Sequence, residues 1–113
     1  MEMNATQYEK LWRCNLRTGK CYMLVSDIAM IFNCSQDDMV KYFKNNSLKE
    51  SYISYSNKNG EFPIGDSGIP SQEMCVTLDG IREFLQSQNL FNEEKNQILT
   101  DSHNLARHNY YLD

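Results

Sequence analysis

Between residues 25 and 44, apolar residues recur at helical spacing on both sides of a short polar break. Ser26 can cap a first helix, and Ser35, followed three residues later by Asp38, predicts that a second helix begins near Gln36. The apolar positions before the break would form the buried face of the first helix: Ile28, Ala29, Ile31 and Phe32. Two short helices joined by a tight turn make a helix-turn-helix, around which we expect the rest of the chain to be organised.

The turn and the second helix carry two further signs of this motif. Asn33 stands where such a turn usually has glycine, and asparagine tolerates positive φ better than most residues. Three apolar residues fall together on a helical wheel of the second helix: Met39, Val40 and Phe43. The opposite side carries Asp37, Lys41 and Lys44. The second helix is therefore the candidate for an exposed recognition helix.

Alternating apolar and polar residues before the helix pair predict an antiparallel β-hairpin, in which residues 11–16 pair with residues 20–25. Arg17-Thr18-Gly19 would be a three-residue loop, with Gly19 in the left-handed conformation. In this register one face would cover the core: Trp12, Cys14, Tyr22 and Leu24. The basic residues Arg13, Arg17 and Lys20 would lie on the other face or at the loop.

Asn59-Gly60 is a strong local signal for a second hairpin after the helix pair. Residues 51–56 would pair with residues 61–65, where Pro63 restricts its strand to a sheet edge. Such a hairpin could serve as a wing laid along a nucleic-acid backbone, with Lys58 at its tip. A surface loop without that function is the alternative.

The last third of the chain predicts a short buried strand and two helices. The strand is MCVTL, and Thr77 or Asp79 would cap a helix that ends near Gln88. The buried face of that helix would be Ile81, Phe84 and Leu85. Asn92 would cap a closing helix that begins with two acidic residues. We therefore expect a single α+β domain over residues 11–108, with a flexible or weakly helical lead over 1–10 and a tail over 109–113.

Length and composition narrow the classes of protein. A chain of 113 residues is long enough to bury a core without a metal or disulfides, and it has no apolar run of membrane-spanning length. Because residues 1–10 lack the features of a secretory signal, we expect the protein in the cytoplasm or nucleus and not secreted. The four cysteines are then expected to be thiols, and their spacing contains no C-x-x-C pair: Cys14, Cys21, Cys34 and Cys75. We predict no metal and no cofactor.

The net charge of −4 argues at first against a nucleic-acid partner, but the charge is unevenly distributed. Residues 10–49 hold seven basic and three acidic residues, a local charge of +4, and they include the helix pair. Residues 51–113 hold four basic and nine acidic residues, a local charge of −5. One face of a domain can bind phosphate while another repels it, since charges are screened over about 8 Å at physiological salt. Ordinary surface asymmetry is the alternative explanation.

The sequence contains no recognisable arrangement for catalysis. Motifs of serine hydrolases, phosphate-binding loops and zinc proteases are missing from it. His103 and His108 are five residues apart, so they would point in different directions from one helix. Cys34 could have a lowered pKa at a helix start, although packing in the turn explains it better. We therefore expect a binding protein and not an enzyme.

The order of these elements resembles the N-terminal Bro domain of large DNA viruses and phages, which is related to the KilA-N group. One matching segment is Val25, Asp27, Ile28 and Ala29, with Phe32 in the last apolar place. A later one is Val76, Thr77, Leu78, Gly80, Ile81 and Leu85, before a closing helix. The resemblance covers about residues 11–108 and implies a viral or phage DNA-binding module that regulates transcription in a host cell. Asn33 and the acidic second half depart from the family pattern.

Duplex DNA is the expected partner, contacted through the second helix. The residues predicted to bind it are Gln36, Lys41, Lys44, Asn45, Arg13, Arg17, Lys20, Lys49 and Lys58. The alternative is a small acidic viral accessory protein that binds a host protein and no nucleic acid. The Tyr110-Tyr111 pair near the C-terminus suggests a core edge or a contact in a homodimer.

Overall fold

The computed structural model describes residues 4–15, 18–45, 52–56 and 73–111. Within these ranges it has five α-helices and four β-strands, which confirms the predicted α+β class. The strands form one antiparallel sheet in the order β1-β2-β4-β3. The elements are α1 (Ala5–Glu9), β1 (Trp12–Asn15), β2 (Lys20–Leu24), α2 (Val25–Phe32), α3 (Gln36–Asn45), β3 (Ile53–Ser56), β4 (Glu73–Val76), α4 (Leu78–Ser87) and α5 (Glu93–Tyr111).

The first hairpin forms as predicted, but its register is shifted by one residue. Asn15 pairs with Lys20, so the connection spans residues 16–19, and Gly19 has the expected positive φ of 75°. A shift of one residue moves every side chain of one strand to the opposite face. One face therefore carries Trp12, Cys14, Cys21 and Met23, and the predicted face that included Tyr22 and Leu24 is wrong. Tyr22 and Leu24 instead form a second buried cluster with Cys75.

Cys14 and Cys21 are joined by a disulfide across this hairpin. They lie directly opposite each other in the register, which brings their Cα atoms to 4.0 Å. Cys34 and Cys75 are free thiols. The expectation of four thiols is therefore wrong for the first two cysteines, because the shifted register pairs them.

The N-terminal segment belongs to the fold. Asn4 and Gln7 form a reciprocal capping box at the start of α1, and Tyr8 is buried in the core. Glu9 accepts a hydrogen bond from the side chain of Asn109 on α5. Residues 5–9, within the lead that we predicted to be flexible or weakly helical, thus form a helix, and α5 continues through Tyr111, beyond residue 108 where we predicted the domain to end.

β3 lies beside β4, with Ile53 opposite Val76 and Ser56 opposite Glu73. This places a strand within the predicted range 51–56. The predicted partner strand 61–65, the Asn59-Gly60 turn and the candidate wing lie outside the described residues. The strand that pairs with β3 is β4, which overlaps the segment MCVTL that we predicted to be a buried strand.

The two C-terminal helices begin at the predicted caps. The hydroxyl of Thr77 accepts a hydrogen bond of 3.2 Å from the Gly80 N–H, and the amide oxygen of Asn92 accepts one of 3.1 Å from the Lys95 N–H. The predicted inward face of α4 is buried: Ile81, Phe84 and Leu85. In the described part of the chain, none of the helices combines the length and the apolar character needed to cross a membrane.

Arg82 joins α4 to α5. Its Nε donates to Asn96 Oδ1 at 2.7 Å, its second terminal nitrogen donates to the Thr100 hydroxyl, and its other one lies 3.6 Å from Asp79 Oδ1. These contacts fix the position of α5 beside α4, and with it the side chains that α5 presents toward the hairpin.

Candidate nucleic-acid interface

The turn between α2 and α3 has the left-handed conformation that the sequence predicted. Asn33 has φ 52° and ψ 52°, and the N–H of Cys34 donates to the carbonyl of Ala29 at 3.1 Å. Residues 33–35 are the whole connection, which is the length typical of a helix-turn-helix. The predicted helix-turn-helix order is therefore present in the structure.

The two helices begin differently. The hydroxyl of Ser35 accepts a hydrogen bond of 3.2 Å from the Asp38 N–H, as the capping pattern predicted. The predicted cap at Ser26 is wrong, because β2 runs directly into α2 and Leu24 occupies the cap position without a side-chain hydrogen bond. Ser26 instead lies within the first turn of α2.

The buried side of α3 packs against α4 through aromatic side chains. Met39 and Phe43 are almost completely inaccessible to solvent. Tyr42 meets Phe84 edge to face with ring centroids 5.5 Å apart, and Phe43 lies 6.2 Å from the same ring. α3 is therefore buried along one side and exposed along the other.

All four residues of α3 that we predicted to contact DNA are exposed: Gln36, Lys41, Lys44 and Asn45. Asp37 and Asp38 are exposed on the same helix. Two lysines and two aspartates leave this surface without a net charge, while Val40 is half-buried at its margin. The surface is thus polar and mixed in charge.

Shallow clefts lie on either side of α3. One, of about 510 Å³, is lined by the start of α3, including Gln36 and Asp37, together with α2 and the turn. The other, of about 550 Å³, is lined by Asp38, Lys41, Tyr42, Asn45 and Gln88. A partner that contacts α3 would therefore meet a ridge between two depressions.

Lys95 supports the turn in a way that the sequence did not indicate. Its Nζ donates to the Ile31 carbonyl at 3.2 Å and lies 5.2 Å from the centroid of the Phe32 ring. A cation at the carboxyl end of α2 stabilises the helix dipole and adds a cation–π contact. The 64 positions between Lys95 and Ile31 explain why no local pattern pointed to this contact.

Cys34 is not an activated nucleophile. Burial raises the pKa of its thiol, and the neighbouring Asp38 carboxylate raises the pKa further. The thiol form is therefore favoured, in agreement with a packing role in the turn.

The remaining predicted DNA contacts are placed apart from α3 or are not described. Arg13 is half-buried on β1 opposite Tyr22. Burial raises the pKa of Asp27, Arg13 lowers it, and Glu73 raises it, so Arg13 interacts with the Asp27 carboxylate of its own chain. Lys20 is exposed and lines a different cleft. The other predicted contacts lie outside the described residues: Arg17, Lys49 and Lys58.

The described residues contain no group of three or more His, Cys, Asp or Glu side chains that could hold a metal ion. No protein-family model, curated protein or solved structure matches this chain.

Proposed function

We propose that this protein is a DNA-binding regulatory module that contacts duplex DNA through α3. The observation that carries the proposal is the tight turn at Asn33 followed by a helix with one buried side and an exposed row of polar side chains. The resemblance to the viral and phage Bro domain supports the same function and suggests action inside a host cell.

In this proposal α3 enters the major groove with its first turn nearest the base edges. The amide of Gln36 can pair with both the donor and the acceptor of an adenine, and Asn45 offers the same chemistry. Lys41 and Lys44 can reach guanine or phosphate oxygens. Asp37 can accept a hydrogen bond from the amino group of cytosine, and its charge would weaken binding wherever it approaches a phosphate.

Phosphate contacts at the margin would position α3. Lys20 is the exposed described candidate for such a contact, and Arg17, Lys49 and Lys58 are candidates from the sequence. If about six phosphates are neutralised, the logarithm of the binding constant should fall with the logarithm of the salt concentration at a slope of about −5.

The test is fluorescence polarisation with random-sequence duplex DNA over a salt series. Lys41→Glu should weaken binding at least about tenfold at low salt, since it replaces an attraction by a repulsion. Lys10→Glu makes the same change of charge at an exposed position near α1 and is the matched control. Asp37→Asn should strengthen binding. A salt slope near zero, or equal losses for Lys41→Glu and Lys10→Glu, contradicts the proposal.

The second candidate function is a protein-interaction module in which the helix-turn-helix is only a scaffold. The exposed carboxylates at the starts of α3 and α5 favour it: Asp37, Asp38, Glu93 and Glu94. A domain of this second type would ignore DNA at about 50 mM salt, where electrostatic binding is strong. It would bind a basic protein surface, and substitution of the four acids by amides would abolish that binding.

A further inference from the structure

A third cleft, of about 450 Å³, lies between the hairpin, the start of α4 and the middle of α5. Its lining includes Lys20, Thr77, Asp79, His103 and Arg107. None of these residues belongs to α3, although Lys20 is also a candidate phosphate contact in the proposed DNA interface. Its volume is within the range of roughly 300 to 1,000 Å³ that is usual for small-molecule sites.

The charges around this cleft are predominantly positive. Lys20 and Arg107 are exposed, and within the described residues neither has an acidic partner at salt-bridge distance. The carboxylate of Asp79 is directed to Arg82, 3.6 Å away, so these two charges offset each other. Two cations from separate elements, β2 and α5, therefore remain available to a ligand.

His103 lines the same cleft, one helical turn before Arg107 on α5, and its ring packs against an aromatic side chain. Its ring meets Trp12 edge to face with centroids 5.0 Å apart. The pKa of His103 lies below its ordinary value, mainly because burial disfavours the imidazolium ion. Repulsion by Arg107 and Arg82 lowers this pKa further. Asp79 and a hydrogen bond with Asn104 act in the opposite direction. Burial is the main cause of the lowered pKa, and the two arginines add a repulsion that a bound anion would offset.

Two further features favour a preformed site. The Cys14–Cys21 disulfide clamps the hairpin next to Lys20, so that the backbone carrying this lysine is held in place. The cleft also includes Thr77 and Leu78 at the amino end of α4, where the helix dipole favours negative charge. A preorganised group of donors loses less entropy when a ligand binds.

We propose that this cleft binds a phosphate group, held by Lys20 and Arg107 with His103 beside it. Arg107 supplies the planar guanidinium that matches two phosphate oxygens, and Lys20, on β2, supplies a point charge. The bound phosphate belongs to a small ligand such as a phosphate monoester. The phosphate of a DNA strand offers the same chemistry, and the experiment separates the two sources.

The experiment measures the apparent pKa of His103 from the NMR signals of its ring. Inorganic phosphate or a nucleoside monophosphate is added at constant ionic strength, and chloride is the reference anion. A bound dianion should raise the apparent pKa of His103 by roughly half a unit or more, because it stabilises the imidazolium form. Lys20→Gln and Arg107→Gln should each weaken phosphate binding roughly tenfold, as expected for the loss of a charge-assisted hydrogen bond. Lys10→Gln, at an exposed position near α1, should leave phosphate binding unchanged.

The proposal is overturned if phosphate moves the His103 signals no more than chloride does, or if Lys20→Gln and Arg107→Gln bind phosphate like the unmodified protein. A DNA duplex with unphosphorylated ends tests whether the phosphate comes instead from a DNA strand. If it shifts His103 and inorganic phosphate does not, the cleft takes the DNA backbone and the small-ligand assignment is wrong. Loss of DNA binding in Lys41→Glu with phosphate binding intact would show that the two surfaces act independently.

Discussion

Trp12 Nε1 donates a hydrogen bond of 2.8 Å to the hydroxyl of Ser102 and so joins β1 to α5 across 90 positions of sequence. Ser102 is completely buried and donates in turn to the Leu99 carbonyl at 2.9 Å. This polar pair in the core determines how α5 lies against the hairpin. It also sets the place of His103, the next residue, beside the Trp12 ring.

Ser102→Ala should destabilise the protein by about 1 to 3 kcal/mol, because it leaves the buried indole N–H without an acceptor. In a Trp12→Phe background the same substitution should cost less, since the donor is already gone. Urea unfolding of the two single variants and the double variant measures this difference. Asp101→Ala, on the exposed side of α5, is the control. If the losses of stability in the two single variants add up to the loss in the double variant, Trp12 and Ser102 are not energetically coupled.

Gly80→Ala should destabilise α4 although alanine is the better helix former by about 1 kcal/mol. A β-carbon at Gly80 would lie 2.6 Å from Val76 Cγ1 and 2.8 Å from Tyr52 Cβ. Relief of this overlap requires movement of β4 or of Tyr52, which should cost about 1 to 3 kcal/mol. Thermal unfolding of the Gly80→Ala variant checks the prediction, and Gln86→Ala, at an exposed position on the same helix, is the control. A raised melting temperature for Gly80→Ala would show that the packing there is loose.

The two left-handed asparagines provide a matched pair. Asn33 has φ 52° and Asn89 has φ 57°, so alanine at either position should cost about 1 kcal/mol of stability. Only Asn33→Ala should also weaken DNA binding, because it alone lies in the turn that orients α3. Urea unfolding and fluorescence polarisation on both variants measure the two effects. Equal loss of DNA affinity in Asn89→Ala would indicate a general effect of stability.

The lowered pKa of His103 predicts how stability depends on pH. Because the folded-state pKa lies below the unfolded-state value, the unfolded chain binds more protons between the two values. The free energy of unfolding should therefore rise with pH across the window below about 6.5 and level off above it. His103→Gln should remove this rise, and His108→Gln should retain it. Urea unfolding in phosphate-free buffer from about pH 5 to 7.5 makes the comparison. If the unfolding free energy of His103→Gln still rises with pH to the same extent, the rise comes from other titrating groups.

The candidate interface was largely predictable because its determinants are close together in sequence. Ser35 caps α3 through a residue three positions away, and Asn33 adopts positive φ because of its own side chain and backbone. The residues predicted for the exposed side of α3 are exposed. Lys95 could not be identified in the same way, since its contact with the end of α2 depends on where α5 packs.

The sequence by itself determined four of the five described helices, three of their caps and the presence of an antiparallel hairpin, because these depend on interactions within three or four residues. The tertiary structure alone decided the hairpin register, the pairing of β3 with β4 and the disulfide between Cys14 and Cys21. Alternative registers differ by one residue in the loop, and β2 is buried on both faces, so contacts of each face with the rest of the fold select among them. The packing of α5 on the hairpin joins Trp12 to Ser102 and places His103 and Arg107 in one cleft with Lys20.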